Sequence, residues 1–159
     1  MHLAVIGMGR LREKYFRSAA DEYIKRLSRF GKVEEMEIGD IPEPSNASDE
    51  DRRKVKMREG ELILSRIKPA DYVIALCIDG KQWDSEALSA HLQALTDAGR
   101  GRLTFVIGGS LGLSDAVIAR ANETLSMSRM TFPHQLARVM LLEQLYRCGK
   151  IAAGERYHK

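Results

Sequence analysis

Three stretches of the 159-residue chain bring together residue types that can do chemistry. The first is Gly108-Gly109-Ser110-Leu111-Gly112, directly after the apolar run Leu103 to Ile107. Glycines at the end of a buried strand let a ligand approach the backbone, and the absence of a GxxxxGK(S/T) pattern argues against a P-loop phosphate site. The second is Leu125 to Phe132 (LSMSRMTF), an irregular mixture of small, polar and apolar residues before a strong helix. Its backbone amides and carbonyls suit the edge of an adenine ring. The third is the terminal Tyr157-His158-Lys159, a phenol, an imidazole and a cation, which in isolation reads as a frayed end.

Two further loops carry less. Gly7-Met8-Gly9-Arg10 opens like a dinucleotide fingerprint but lacks the third glycine, so it reads as a structural turn. Asp79-Gly80-Lys81-Gln82-Trp83 reads as a turn between a strand and a helix, with Trp83 packed in the core. The two cysteines, Cys77 and Cys148, stand far apart without CxxC spacing, which suggests neither a disulfide framework nor a zinc site.

The elements that must position these loops alternate along the chain. His2 to Gly7, Lys32 to Ile38, Asp71 to Ile78, Leu103 to Ile107 and the short Glu123 to Met127 read as strands. Helical spacing predicts a helix over 14–30, and further helices are read from Ser48 to about 66, over 85–98, from near Ser114, and over 134–150. Ser48 followed by Asp51 is an N-cap with an acidic residue at N3. Continuous apolar runs such as DYVIALCI suit central parallel strands, and the alternation predicts an α/β fold with a mainly parallel sheet flanked by helices. Ligands of such sheets bind beyond the carboxyl ends of the strands, which is where the glycine loop falls. The length suits one domain over residues 1–159, and no apolar run approaches the roughly 18 residues of a membrane span.

Net charge is +3, which permits a polyanionic partner without predicting one. The basic residues of the first helix (Lys14, Arg17, Lys25, Arg26, Arg29) read as a solvated face. Those of the second (Arg52, Arg53, Lys54, Lys56, Arg58) are flanked by acids and read as intrahelical pairs. The last helix is apolar nearly all round, with Leu136, Val139, Met140, Leu141, Leu142, Leu145 and Tyr146, while Glu143 and Arg147 can pair at i, i+4. Such a helix must be buried on more than one side, and a twofold partner is the expected cover.

Taken together, Glu59-Gly60-Glu61, ALCIDGKQWDS (75–85), FVIGGSLGLS (105–114), LSMSRMTFPHQLARVMLLEQLYR (125–147) and the final Tyr157-His158-Lys159 resemble the RlmH family of 23S rRNA pseudouridine N3-methyltransferases, of the SPOUT class, over essentially the whole chain. The resemblance implies a C-terminal trefoil knot, S-adenosyl-L-methionine bound within it, a cytoplasmic homodimer acting on 23S rRNA in the ribosome, and no metal. It implies cofactor contacts from Leu76, Gly108, Met127, Ser128, Arg129, Met130, Thr131 and Phe132. It departs from the family before the tail, where Arg156 stands in place of a common proline.

The implied chemistry fits the residue inventory. A sulfonium methyl donor needs neither metal nor covalent nucleophile, only in-line approach and exclusion of water. N3 of a uracil-like ring must lose its imide proton to become nucleophilic. Tyr157, His158, Lys159 and Arg147 are the expected catalytic group, with His158 able to accept the proton and Lys159, Arg138 or Arg147 able to favour the anion or hold phosphate. Two other readings stay open: a non-catalytic ribosome-binding or assembly factor on the same fold, and a nucleotide-binding α/β protein using the Gly7 or Gly108 loop.

Overall fold

The computed structural model describes residues 1–157. Five strands, β1 (His2–Met8), β2 (Lys32–Ile38), β3 (Tyr72–Gln82), β4 (Leu103–Ile107) and β5 (Glu123–Ser126), alternate with five helices, α1 (Lys14–Leu27), α2 (Asp49–Leu64), α3 (Ser85–Asp97), α4 (Asp115–Arg120) and α5 (His134–Ala152). The sheet order is β2-β1-β4-β3-β5, and every pairing is parallel. His158 and Lys159, two of the expected catalytic residues, lie outside the described residues.

The period-2 pattern of the strands divides the core. Leu3, Val5, Ile74, Leu103, Phe105 and Ile107 face one layer with Ala20 and Leu27 of α1, Leu88 and Leu92 of α3, and Leu141, Leu142 and Leu145 of α5. Ile6, Met8, Val73, Ala75 and Val106 face the other layer with Ile63 of α2 and Val117 of α4. The central strands are therefore covered on both faces, which accounts for their unbroken apolar runs. Strand β2 is an edge, and its acidic side chains protect it from further pairing. The expected N-cap of α2 is a full capping box: Ser48 Oγ accepts from the Asp51 amide at 3.1 Å, and the Asp51 carboxylate accepts from the Ser48 amide at 2.9 Å.

The structure departs from the sequence expectation in two places. The 79–82 stretch is not a turn: β3 runs on to Gln82 and pairs with β5 twice, Leu76 with Leu125 and again Lys81 with Leu125, so that Cys77 to Gly80 loop out between them. Gly80 makes this bulge possible, because a Cβ there would stand 2.8 Å from the Leu125 carbonyl carbon. The last helix is also better covered than its sequence suggests. Leu141, Leu142, Leu145, Tyr146, Cys148 and Gly149 are buried within the chain itself, leaving Leu136, Val139 and Met140 half-buried.

Candidate active site

The β1 connection leaves toward β2 while the β4 connection leaves toward β5, so the strand order reverses between β1 and β4. At the carboxyl ends beside this reversal lies a cavity of about 750 Å³. Three loops and the start of α5 build it: Leu76, Cys77, Ile78 and Asp79 of the β3 bulge, Ile107 to Ser110, Gly112 and Leu113 after β4, and Met127, Ser128, Met130, Thr131, Phe132, Pro133, His134 and Ala137 after β5. The walls are mostly aliphatic, with exposed backbone from the glycine loop. That combination suits a largely apolar small ligand oriented by a few backbone polar groups.

Seven of the eight expected cofactor residues line this cavity: Leu76, Gly108, Met127, Ser128, Met130, Thr131 and Phe132. Arg129, exposed in the same loop, does not. The loop is braced by its own serines, since Ser126 Oγ donates to the Ser128 carbonyl at 3.0 Å and Ser128 Oγ accepts from the Met130 amide at 3.0 Å. The glycine loop is closed by the Gly112 amide donating to the Gly109 carbonyl at 3.1 Å, with Gly112 at φ 79°. Gly108 is required by the loop before any ligand arrives, because a Cβ there would meet the Gly112 carbonyl carbon and oxygen at 2.9 Å.

Cys77, Ile78, Asp79 and His134 line the cavity without having been expected among the cofactor contacts. For the first three, the hidden feature is the bulge, which brings residues expected in a strand or turn to the cavity wall. Burial, and then the nearby Asp79 carboxylate, push the Cys77 thiol above its ordinary range, so it is a protonated wall and not a nucleophile.

Of the expected tail group, Tyr157 is described, and it lies away from this cavity. Tyr157 docks on α5: its hydroxyl donates to Glu143 Oε1 at 3.2 Å, its ring sits edge-on to Tyr146 at 4.9 Å, and the Arg147 guanidinium lies 4.7 Å from its centre. Arg147 also donates to Glu143 at 2.6 Å. Burial, followed by the Glu143 carboxylate, raises the Tyr157 phenol above its usual value. None of these residues lines the large cavity. Glu143 instead borders a second pocket of about 410 Å³ with Tyr23, Trp83, Val139 and Met140. Trp83 is partly buried against the core, stacked on His91 at 4.7 Å.

Arg138 has a different role from the one its type suggested. It is 1 % exposed, donates to Glu37 at 2.6 Å and to the Gly9 carbonyl at 2.6 Å, and lies where any side chain at Gly7 would intrude. It ties the carboxyl end of β1 to α5 and is not available to an RNA phosphate. The Gly7 and Gly9 pair thus serves packing: Gly7 belongs to β1 and makes room for Arg138, and Gly9, at φ 79°, turns the chain out of the strand.

A family of predicted SPOUT methyltransferases matches residues 1–158. The chain is 50% identical to the ribosomal RNA large subunit methyltransferase H of Bacillus pumilus and 48% identical to that of Shouchella clausii, in each case over 159 residues and the whole of both chains. A solved structure of a probable methyltransferase from Bordetella pertussis shares the fold, with a TM-score of 0.54 at 16% identity over 92% of this chain and 95% of that one. With its parallel sheet, its cavity at the strand ends and a match that spans nearly every residue, the chain belongs to the SPOUT methyltransferase family.

Proposed function

We propose that the chain binds S-adenosyl-L-methionine in the 750 Å³ cavity and transfers its methyl group to N3 of a pseudouridine in 23S rRNA, acting in the cytoplasm on the ribosome. The observation that carries this reading is the coincidence of the cavity wall with seven of the residues expected to hold the cofactor. The full-length similarity to large-subunit rRNA methyltransferases supports the choice of acceptor.

Bound there, the cofactor supplies an electrophilic methyl group. The chain's own residues do the rest. Leu76, Ile107, Leu113 and Phe132 exclude water, while the amides and carbonyls of the Met127 to Phe132 loop present hydrogen-bonding groups to a purine edge. The protonated Cys77 does not compete for the methyl group.

The acceptor side needs a proton taken from N3. In this reading two copies of the one-domain chain, knotted at the C-terminus, pair through α5, and the tail of one copy completes the cavity of the other. The half-buried Leu136, Val139 and Met140 and the apolar second pocket support this pairing, as does the docking of Tyr157 on Glu143 and Arg147 at the same face. His158 takes the proton, and Lys159 with Arg147 steadies the anion.

The test is methylation of ribosomes from a strain lacking this activity. The purified chain with labelled cofactor should modify one pseudouridine of 23S rRNA, located by mass mapping. Removal of 157–159 should abolish transfer while leaving cofactor affinity within a few-fold. Binding to ribosomes without methyl transfer would favour an assembly factor instead.

A further inference from the structure

The segment between β1 and α1 is held from beneath and open above. The Gly9 amide donates to the Ile38 carbonyl at 2.6 Å, Arg138 holds the Gly9 carbonyl, and the Leu11 amide donates to Glu37 at 2.9 Å. Leu11 is 5% exposed and serves as the plug. Arg10 and Arg12, on either side of the plug, and then Lys14 and Tyr15, are all exposed, Tyr15 by 66%.

The charges here differ from those behind them. Arg17 is held by Glu35 at 2.6 Å, and Arg138 is held by Glu37. Arg26 pairs with Glu22 and Arg29 with Glu155. In contrast, Arg10 and Lys14 make no ion pair among the described residues. Arg12 reaches only Asp40, at 3.9 Å and with its side chain 77% exposed. Glu13 is the one acid within the segment.

The segment also adjoins the cavity. A Cβ on Gly9 would lie 3.3 Å from Nε2 of His134, which is part of the cavity wall. A fixed loop that presents three cations and an aromatic ring at the edge of the site matches a polyanion carrying stackable bases.

We propose that Arg10, Arg12, Lys14 and Tyr15 form an RNA-docking surface, in which the three cations contact phosphates flanking the target nucleotide and Tyr15 stacks on an unpaired base. This rests on the reading of the chain as an rRNA methyltransferase. The surface positions the RNA and takes no part in methyl transfer.

The experiment compares the full chain with the triple variant Arg10→Ser, Arg12→Ser, Lys14→Ser, and with Tyr15→Ala and Tyr15→Phe, on ribosomes lacking the modification. The triple variant should raise KM for ribosomes at least about tenfold. The slope of log affinity against log salt should fall by about 2–3, at roughly 0.7–0.9 for each phosphate that is no longer neutralised. S-adenosylhomocysteine affinity and kcat at saturating ribosomes should stay within about twofold. Tyr15→Ala should raise KM several-fold and Tyr15→Phe should restore it. Unchanged KM and salt slope in the triple variant would overturn the proposal. So would a loss of RNA affinity accompanied in sedimentation by dissociation of the variant, since the segment would then be a protein contact. If the unaltered chain methylates no ribosome, the functional reading itself fails. The docking surface is then judged by the salt slope of ribosome binding alone.

Discussion

The two ends of the sheet each carry a buried arginine, and the two are used differently. At the amino end, Arg102, just before β4, donates to Asp71 at 2.6 and 3.1 Å, to Glu34 at 3.3 Å and to the Arg66 carbonyl at 3.2 Å. At the carboxyl end, Arg138 bonds Glu37, the Met8 and Gly9 carbonyls and Glu35, but its Nε has no partner among the described residues. Nearby, Glu59 lies 8% exposed with Oε2 unpartnered, 3.2 Å from where Gly109 would carry a Cβ. The amino end joins strands to one another through an arginine whose three nitrogens all have partners, with Thr104 Oγ1 the one buried side-chain atom left unmet there among the described residues. The carboxyl end leaves polar groups unmet beside glycine loops and a cavity, and buried unmet groups there cost stability that the fold alone gives no reason to spend.

Cutting either arginine should have the largest effect, and the two outcomes should differ in kind. Arg102→Met leaves Asp71 buried without its partner and should cost about 3–5 kcal/mol in urea unfolding, with the methylation rate per folded molecule unchanged. Arg138→Met should cost a similar amount, about 3–5 kcal/mol. It should in addition lower that rate, because Gly9, beside His134 of the cavity wall, loses the side chain that holds its carbonyl. Equal effects on activity would remove the contrast.

Acid should weaken the amino end. Burial alone would push the Asp71 carboxyl up, but hydrogen bonds from Arg102 and the Lys68 amide outweigh it and hold it below its ordinary range. A depressed carboxyl contributes stability that is complete above its unfolded value, about 4, and is lost as pH falls through the folded value. Unfolding free energy measured downward from pH 5 should therefore drop less steeply in Asp71→Asn than in the unaltered chain.

Glu59 gives a smaller effect of opposite sign. It follows Val55 and precedes Ile63 at four-residue intervals on the buried face of α2, where an apolar side chain would be at home. Burial first, and then Asp40 and Glu43, raise its carboxyl above the usual range. Glu59→Leu should stabilise the protein by about 1–2 kcal/mol, seen as a Tm higher by a few degrees. A fall in Tm would show that the carboxyl has a structural partner. The smallest effect belongs to Cys77→Ala, which should leave kcat within about twofold, since the thiol is no nucleophile.

The five strands and five helices were legible in kind from apolar runs, helical spacing and the Ser48 N-cap, though the carboxyl end of β3 was not. The cavity loops were legible from glycines after β4 and from the resemblance. What could not be read depends on contacts between distant residues. Nothing local in Leu76 to Gln82 announces that β3 pairs twice with Leu125 across a bulge. Arg138, on a helix, resembles any free cation until β1 and β2 bring Gly9, Glu35 and Glu37 around it. The coverage of α5 by α1 and α3 likewise follows from topology and not from the helix's own composition.

The central claim is that the cavity at the carboxyl ends holds the methyl donor, and titration calorimetry tests it most directly. S-adenosyl-L-methionine should bind the unaltered chain at one site per chain with micromolar affinity. Leu76→Trp, which fills the cavity wall without touching either buried arginine, should retain its Tm within a few degrees and lose that binding at least about a hundredfold. A folded Leu76→Trp protein that binds as tightly as the unaltered chain would place the donor elsewhere and contradict the account.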